Sequence, residues 1–272
     1  MTPEISLVVP LRDEELNVGP LHEELTRALE GVGAPYEIIL IDDGSEDGTF
    51  EKLRDIQSRD PRVRVIQFTR NFGQTAAFAA GFAHAHGRFI ITSDGDLQNN
   101  PADIPKLLAL APTHDIVSGW RKDRKDALLT RHLPSVVANW LLGLVSGIRL
   151  HDNGCSLKVY RAEVVKPLRL RPGMHRYLPA LASQLGGRVA EVVVSHRPRQ
   201  HGHSKYGLSR TFVVVRDILT LPRLMREAID PAIASPHLYE IKRVLEASSS
   251  LDPRPSSGPP ASADDRAPAG AP

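Results

Sequence analysis

The chain has 272 residues, 41% hydrophobic and 24% charged, which suits one large folded unit with appendages and excludes a collagenous, coiled-coil or wholly disordered chain. With 34 Lys+Arg against 32 Asp+Glu the net charge is only +2, so phosphate binding must come from a local cluster and nucleic acid is not an expected partner. The single cysteine, Cys155, excludes an internal disulfide and a cysteine-built metal site, and it fits a reducing compartment.

The first residues enter a strand pattern directly, without the basic region, apolar core and cleavage site of a signal peptide, so the protein is expected in the cytoplasm. Runs of β-branched residues predict strands over Ile5 to Pro10, Tyr36 to Asp42, Val63 to Thr69, Arg88 to Ser93 and Asp115 to Gly119. Between them, amphipathic or Ala-rich patterns predict helices over Val18 to Glu30, Thr49 to Ser58, Gln74 to His86 and Ala102 to Leu110. Strands separated by helices of this length need parallel crossovers, giving an α/β fold with an open, mostly parallel sheet flanked by helices.

After Trp120 a charged segment, Arg121 to Arg131, leads into an uncharged stretch, Leu133 to Ile148. That stretch is interrupted by Pro134 and two glycines and falls short of the roughly 20 apolar residues of a membrane span. A strand-like segment, Gly154 to Tyr160, a helix near His175 to Leu185 and a strand over Arg188 to His196 follow. A basic loop, Arg197 to Lys205, and an amphipathic segment, Leu208 to Met225, come next. From Ser248 onward Pro, Ser, Gly and Ala dominate, and such a tail cannot bury enough surface to fold.

Ligands of open α/β sheets bind beyond the carboxyl ends of the strands. The polar clusters fall there: Arg12-Asp13-Glu14-Glu15, Asp42-Asp43-Gly44-Ser45, Arg70-Asn71-Phe72-Gly73 and Asp94-Gly95-Asp96-Leu97-Gln98. Loops are polar in any protein and Asp-Gly pairs make turns, but recurrence at the same end of successive strands argues for one composite site. Asp94 and Asp96 flank Gly95, where a bend can turn both carboxylates toward one point; there they repel unless a cation or a proton lies between them. Oxygen ligands of this kind suit Mg²⁺ or Mn²⁺, usually held by one or two carboxylates plus substrate phosphates. The competing structural role is an Asx turn capping the helix at Ala102.

In this order, Val8-Val9-Pro10 with Glu14, Ile41-Asp42-Asp43-Gly44-Ser45, Arg70-Asn71-Phe72-Gly73 and Asp94-Gly95-Asp96-Leu97-Gln98 resemble family 2 glycosyltransferases with the GT-A fold. The closer resemblance is to the dolichol-phosphate mannosyltransferase and polyprenyl-phosphate glycosyltransferase branch, over residues 4 to 210 of the chain. It implies inverting, metal-dependent transfer of a sugar from a UDP- or GDP-linked sugar to a polyprenyl phosphate. By position, Pro10, Arg12 and Glu14 would line the nucleobase pocket, and Asp42 and Asp43 would hold base or ribose. Asn71 and Gly73 would lie beneath the sugar donor, with Asp94, Asp96 and Gln98 forming the ribose and metal cluster. The chain departs from the family at Pro10-Leu11-Arg12-Asp13-Glu14, where relatives often read Pro-x-Tyr-Asn-Glu, so an aromatic partner for the base is lost.

The same resemblance matches Arg121, Arg124, Arg131 and Ser135 to positions where the branch keeps arginines and a serine for the acceptor phosphate, which a planar guanidinium binds in bidentate fashion. Asp123 and Asp126, interleaved with the basic residues, equally fit a solvated helix face. Asp152, in His151-Asp152-Asn153-Gly154-Cys155, aligns with the acidic residue near the acceptor and is the candidate general base. A phosphate monoester, with a second pKa of about 6, hardly needs deprotonation, so Asp152 would then position groups; a sugar hydroxyl would need it as a base. Arg199 and Gly202-His203-Ser204-Lys205 resemble the branch's Arg…Gly-x-Ser-Lys loop, which implies phosphate contacts for Arg199, Ser204 and Lys205. The same basic residues argue against a metal at His201 and His203.

The segment from Phe212 to Met225, with Arg210, Arg216, Arg223 and Arg226 interspersed, fits an amphipathic helix lying at a membrane interface or packed on the catalytic domain. Peripheral contact with the cytoplasmic face of a membrane is therefore expected if the acceptor is a lipid. The chain divides into a catalytic domain over 1–210, an amphipathic extension over 211–247 and a disordered tail over 248–272. The alternative functions are transfer to a soluble or glycan hydroxyl, or a catalytically silent nucleotide-sugar-binding module. The sequence leaves a homo-oligomer open.

Overall fold

In the computed structural model, residues 2–122, 148, 150–198, 222–230 and 237–247 are described. The expectations for Arg124, Arg131, Ser135, Arg199, Ser204 and Lys205, most of the amphipathic segment and the tail lie outside them.

Alternate residues of β1 (Ile5–Leu11) enter two different cores. Ile5, Leu7, Val9 and Leu11 pack with α1 (Val18–Val32) and α2 (Thr49–Arg59), whereas Val8 packs with α3 (Gln74–His84). β2 (Tyr36–Asp42) divides in the same way, Ile38 and Leu40 to one side, Ile39 and Ile41 to the other. Strands covered on both faces become nearly continuous apolar runs, which is how these two read in the sequence. On α1, Val18, Leu21, Leu25 and Leu29 recur at helical spacing and form the buried stripe.

The remaining strands are β3 (Val63–Phe68), β4 (Phe89–Thr92), β5 (Ile116–Trp120), β6 (Lys158–Arg161), β7 (Val189–Val193) and β8 (Ile241–Leu245). They form an eight-stranded sheet in the order β7-β5-β6-β4-β1-β2-β3-β8. The pairs β1–β2, β2–β3, β1–β4 and β5–β7 are parallel; β4–β6, β5–β6 and β3–β8 are antiparallel. The expected mostly parallel α/β sheet is therefore present.

From β1 the chain winds outward through β2 and β3, then returns to place β4 on the other side of β1. This reversal opens a crevice at the carboxyl ends of β1 and β4, where open α/β sheets take their ligands. Because β6 runs antiparallel to β4, with Lys158 paired to Thr92, the loop that enters β6 arrives at that same edge. Residues 151–157, in part expected as strand, are spent on this loop.

The predicted helix over Ala102 to Leu110 is a 3₁₀ turn, Pro101–Asp103, followed by α4 (Ile104–Leu108). Its first turn is capped by Asn100, whose Oδ1 accepts from Ala102 N at 3.2 Å. A short α5 (Ala162–Val165) follows β6, and the helix near His175 is a 3₁₀ turn, Met174–Tyr177, continued by α6 (Leu178–Gln184).

β8 was not visible in the sequence pattern. It pairs with β3 and is secured by Arg64 Nε donating to Glu246 Oε2 at 2.7 Å and by Tyr239 stacking on Phe68 at 5.1 Å. Residues 222–229 are helical, with Met225 and Ala228 buried in the same core as α3. Among the described residues no helix is long and apolar enough to cross a membrane.

Helix α3 lies close to the sheet at Gly81, where a Cβ would come within 2.2 Å of Val8 Cγ1. Val8 is fully buried and β-branched, so its side chain is restricted in how far it can turn away. Gly81→Ala is expected to lower stability by ~1–3 kcal/mol through overpacking, despite the roughly 1 kcal/mol that alanine gains in helix propensity. Urea unfolding measures this; an unchanged or raised midpoint would contradict the close packing.

Candidate active site

The four clusters at the carboxyl edge are joined by hydrogen bonds from loop to loop. After β1, Asp13 N donates to Ser45 Oγ at 3.0 Å, and Glu46 N donates back to Asp13 Oδ1 at 2.9 Å. Glu14 N donates to Thr49 Oγ1 at 2.8 Å, while Asn17 Nδ2 donates to Glu14 Oε2 at 2.5 Å. Pro10, Arg12 and Glu14 are half-buried along this rim, and Asp42, at the end of β2, is fully buried. Its Oδ1 accepts from Ser45 N at 3.0 Å and its Oδ2 from Gln67 Nε2 at 3.3 Å.

Asp43 holds the loop that follows β3. Its Oδ1 accepts from Phe72 N at 2.7 Å, and its Oδ2 accepts from Asn71 Nδ2 and Gly73 N, both at 2.9 Å. Burial pushes the Asp43 carboxyl above its usual range, and the Phe72 and Gly73 N–H groups only partly oppose that rise. Its carboxylate is thus committed to positioning Asn71 and Gly73. Gly44 allows the two loops to meet: its φ is +67°, and a Cβ there would lie 2.3 Å from Arg70 C.

Gln74, the first residue of α3, passes the chain of contacts on, its Nε2 donating to Asp94 Oδ1 at 2.7 Å. Asp96 is 8% exposed and accepts from Gln98 N at 3.2 Å. This is a local Asx turn, whereas the cap of the following helix is Asn100. Between Asp96 and Gln98, Leu97 has a φ of +61° and is itself buried. A left-handed leucine costs on the order of 1 kcal/mol and persists because its side chain is fixed in the core. Gln98 Nε2 donates to Arg197 O at 3.4 Å, bringing the stretch after β7 to this loop.

Among the described residues there is no group of three or more His, Cys, Asp and Glu side chains able to hold a metal ion. Asp94 and Asp96, with the amide of Gln98, offer a partial set of hard oxygen ligands, which fits a cation completed by phosphate oxygens and not one caged by protein alone.

On the other side of β4, Asp152 is 5% exposed and faces Arg121, the first residue after β5. Arg121 Nε donates to Asp152 Oδ2 at 2.7 Å and Nη2 to Oδ1 at 3.0 Å, a bidentate pair. Burial disfavours the charge on Arg121, but the bonds to Asp152 outweigh it and raise the guanidinium above its ordinary range. Asp152 and Arg121 are thus brought together, near the loop that carries Asp94.

Three polar residues here were not singled out in the sequence: Gln74, Lys158 and Glu191. Lys158 is wholly buried, its Nζ donating to Asn153 O at 3.2 Å and also to Cys155 O. Burial lowers its pKa, partly opposed by Cys155, Asp152 and Asp94. Glu191 accepts from Asp152 N and His151 N. The available signal was a charge inside an apolar strand, Leu157-Lys158-Val159-Tyr160 and Ala190-Glu191-Val192-Val193.

Asp43→Asn replaces an acceptor of three hydrogen bonds by an amide whose NH₂ must face donors. It is expected to destabilise the fold by ~1–3 kcal/mol and to speed amide hydrogen exchange at Phe72 and Gly73. Exchange at those two amides unchanged from the wild type would show that Asp43 does not hold the loop.

The sequence profile of Glycosyl transferase family 2 matches residues 6–169. A dodecaprenyl-phosphate galacturonate synthase of Rhizobium johnstonii is 46% identical over 233 residues, covering 84% of this chain and 69% of that protein. An undecaprenyl-phosphate 4-deoxy-4-formamido-L-arabinose transferase of Edwardsiella ictaluri is 36% identical over 218 residues, covering 79% of this chain and 67% of that protein. Among solved structures, glucosyl-3-phosphoglycerate synthase of Mycobacterium tuberculosis, in complex with Mn²⁺, UDP and phosphoglyceric acid, superposes with a TM-score of 0.63 at 18% identity. That match covers 90% of this chain and 88% of the other and establishes the GT-A fold. The matched residues include every cluster of the carboxyl edge as well as the Arg121–Asp152 pair, and the chain belongs to glycosyltransferase family 2.

Proposed function

We propose that the chain transfers a sugar from a UDP- or GDP-linked donor to a polyprenyl phosphate with inversion at the anomeric carbon. The observation that carries this reading is the state of Asp152: buried, with both oxygens on one guanidinium. A carboxylate paired in this way is a poor base. A phosphate monoester, mostly dianionic at neutral pH because its second pKa is about 6, needs no base. A sugar hydroxyl would need one. The polyprenyl-phosphate names of the two relatives support the same acceptor.

In the proposed reaction a phosphate oxygen of the acceptor attacks the anomeric carbon, the bond from that carbon to the donor diphosphate breaks, and the nucleoside diphosphate departs with the electron pair. Pro10, Arg12, Glu14 and Asp42 would frame the nucleoside, on the loops braced by Asp13 and Ser45. Asn71 and Gly73, fixed by Asp43, would support the sugar donor from below. Arg121, oriented by Asp152, would face the acceptor phosphate, joined by Arg124, Arg131, Ser135, Arg199, Ser204 and Lys205 from outside the described residues. Asp94, Asp96 and Gln98 would hold Mg²⁺ or Mn²⁺, which when bound neutralises charge on the departing diphosphate. The Mn²⁺ and UDP of the structural neighbour support this assignment. Lipid acceptors would place the protein at the cytoplasmic surface of a membrane.

The test is transfer of radiolabel from a panel of UDP- and GDP-sugars into an organic-extractable lipid, with Mg²⁺ or Mn²⁺ and polyprenyl phosphate supplied. Label in the lipid, abolished by EDTA and by Asp96→Ala, is the expected result; no transfer from any donor would reject the proposal. Asp152→Asn is expected to cost no more than about tenfold in kcat/KM, because the residue orients Arg121 and carries no proton. A loss of roughly a thousandfold or more would instead identify a hydroxyl acceptor.

A further inference from the structure

Asp152 sits in the first part, His151 to Cys155, of the loop 151–157, which has no helix or strand of its own. Beneath that loop, paired residues of four strands make one row across the sheet. Thr92 of β4 pairs with Lys158 of β6, Lys158 with Ser118 of β5, and Ser118 with Glu191 of β7. Directly paired residues share a face of the sheet, so Lys158 and Glu191 rise on the same side.

Two members of this row, Glu191 and Lys158, grip the loop. Glu191 takes N–H groups: Oε2 accepts from His151 N at 2.9 Å and Oε1 from Asp152 N at 3.1 Å. Lys158 takes carbonyls, donating to Asn153 O and Cys155 O. The two side chains have opposite charge, both are largely or wholly out of water, and each fits the polarity of the backbone groups it meets. His151 adds a further contact, its ring stacked on Trp120 at 4.1 Å and its Nδ1 2.9 Å from Glu191 Oε2. The loop is thereby tied to the end of β5, the strand that presents Arg121. Gly154 brings the backbone against the pair itself: a Cβ there would lie 3.4 Å from Arg121 Nη2 and 3.5 Å from Asp152 Oδ1.

We infer that Lys158 and Glu191 are positioning residues that clamp the loop 151–155 so that Asp152 holds Arg121 in bidentate register toward the acceptor. The inference rests on the acceptor role proposed above for Arg121. Neither residue need touch substrate; each acts through Asp152. Among the described residues, these two charged side chains bind the loop's backbone at successive points, Glu191 at the N–H groups of 151 and 152 and Lys158 at the carbonyls of 153 and 155, and that contact distinguishes a clamp from a general electrostatic background.

The test combines kinetics with a measurement that needs no turnover. Lys158→Met keeps an unbranched side chain of similar length without charge or donors. Glu191→Gln keeps one acceptor oxygen and removes the charge. Each is expected to raise the KM for polyprenyl phosphate about five- to tenfold, with the KM of the nucleotide-sugar within twofold of wild type. In an Asp152→Asn background neither is expected to cost anything further, because the clamp acts through that carboxylate.

Independently of activity, solvent exchange of the Arg121 Nε–H, assigned by its loss in Arg121→Lys, is expected to be at least tenfold faster in either variant. Multiplicative losses in the Asp152→Asn background, equal rises in both KM values, or an unchanged Nε–H exchange rate would each overturn the clamp. Should Lys158→Met fail to fold, Glu191→Gln carries the same measurements. If the wild type transfers no sugar to lipid phosphate, the acceptor assignment falls while the exchange measurement still decides the clamp.

Discussion

Asp42, Asp43, Asp96 and Asp152 lie at one edge of the sheet and each is less than a tenth exposed. Burying ionised carboxylates costs several kcal/mol apiece unless hydrogen bonds or counter-charges replace the lost water. The loop structure of the site follows from meeting that cost. Asp43 is compensated by Asn71, Phe72 and Gly73, so it draws the loop after β3 onto the loop after β2. Asp152 is compensated by the Arg121 guanidinium, which draws the entry to β6 against the exit from β5. Loops without secondary structure of their own acquire fixed positions because buried charge permits few others.

The two modes of compensation divide the edge into halves of different chemistry. On the side of β1, β2 and β3 the carboxylates are satisfied mainly by N–H groups, giving a rim of backbone and amide groups suited to a nucleoside. On the side of β4, β5 and β6 Asp94 and Asp96 still accept from N–H groups, but Asp152 is paired with a guanidinium, and Arg121 and Lys158 both feel the charges of Asp94 and Asp152. The topological reversal between β1 and β4 marks the boundary. A group transferred across that boundary would leave the first half and enter the second, which matches the proposed passage of a sugar from nucleotide to lipid phosphate.

Much of this edge was legible in the sequence. The runs ending in Leu11, Ile41 and Thr92 each give way to acids, Asp13-Glu14, Asp42-Asp43 and Asp94, at or just after the point where the strand ends, and the family resemblance implied roles for Glu14, Asp42, Asp43 and Asp94. Arg121 and Asp152, thirty-one residues apart, were assigned to one acceptor region, and the structure makes them partners. The direction of β6 was not legible, because side-chain alternation is the same whichever way a strand runs. Lys158 and Glu191 were passed over for a related reason. A charge within a strand pattern ordinarily marks the solvent face, and only pairing across four strands shows that these two lie under a loop. β8 escaped because Ile241-Lys242-Arg243-Val244-Leu245 has the charged composition that edge strands use to discourage further pairing.

The balance of charge also bears on the proposed metal. Among the described residues around β4, β5 and β6, the carboxylates of Asp94, Asp96 and Asp152 outnumber the cations of Arg121 and Lys158. A donor diphosphate and a dianionic acceptor would add negative charge beside these carboxylates, two of which are buried, where screening is weak. Arg121 is occupied by Asp152, and Lys158 is spent on backbone carbonyls, so neither can neutralise the diphosphate outright. A divalent cation between Asp94, Asp96 and the phosphates would turn their repulsion into attraction. Two carboxylates too few to cage a metal would thus suffice for the proposed reaction: the donor would bring the missing ligands, so that cation and nucleotide would bind as one unit.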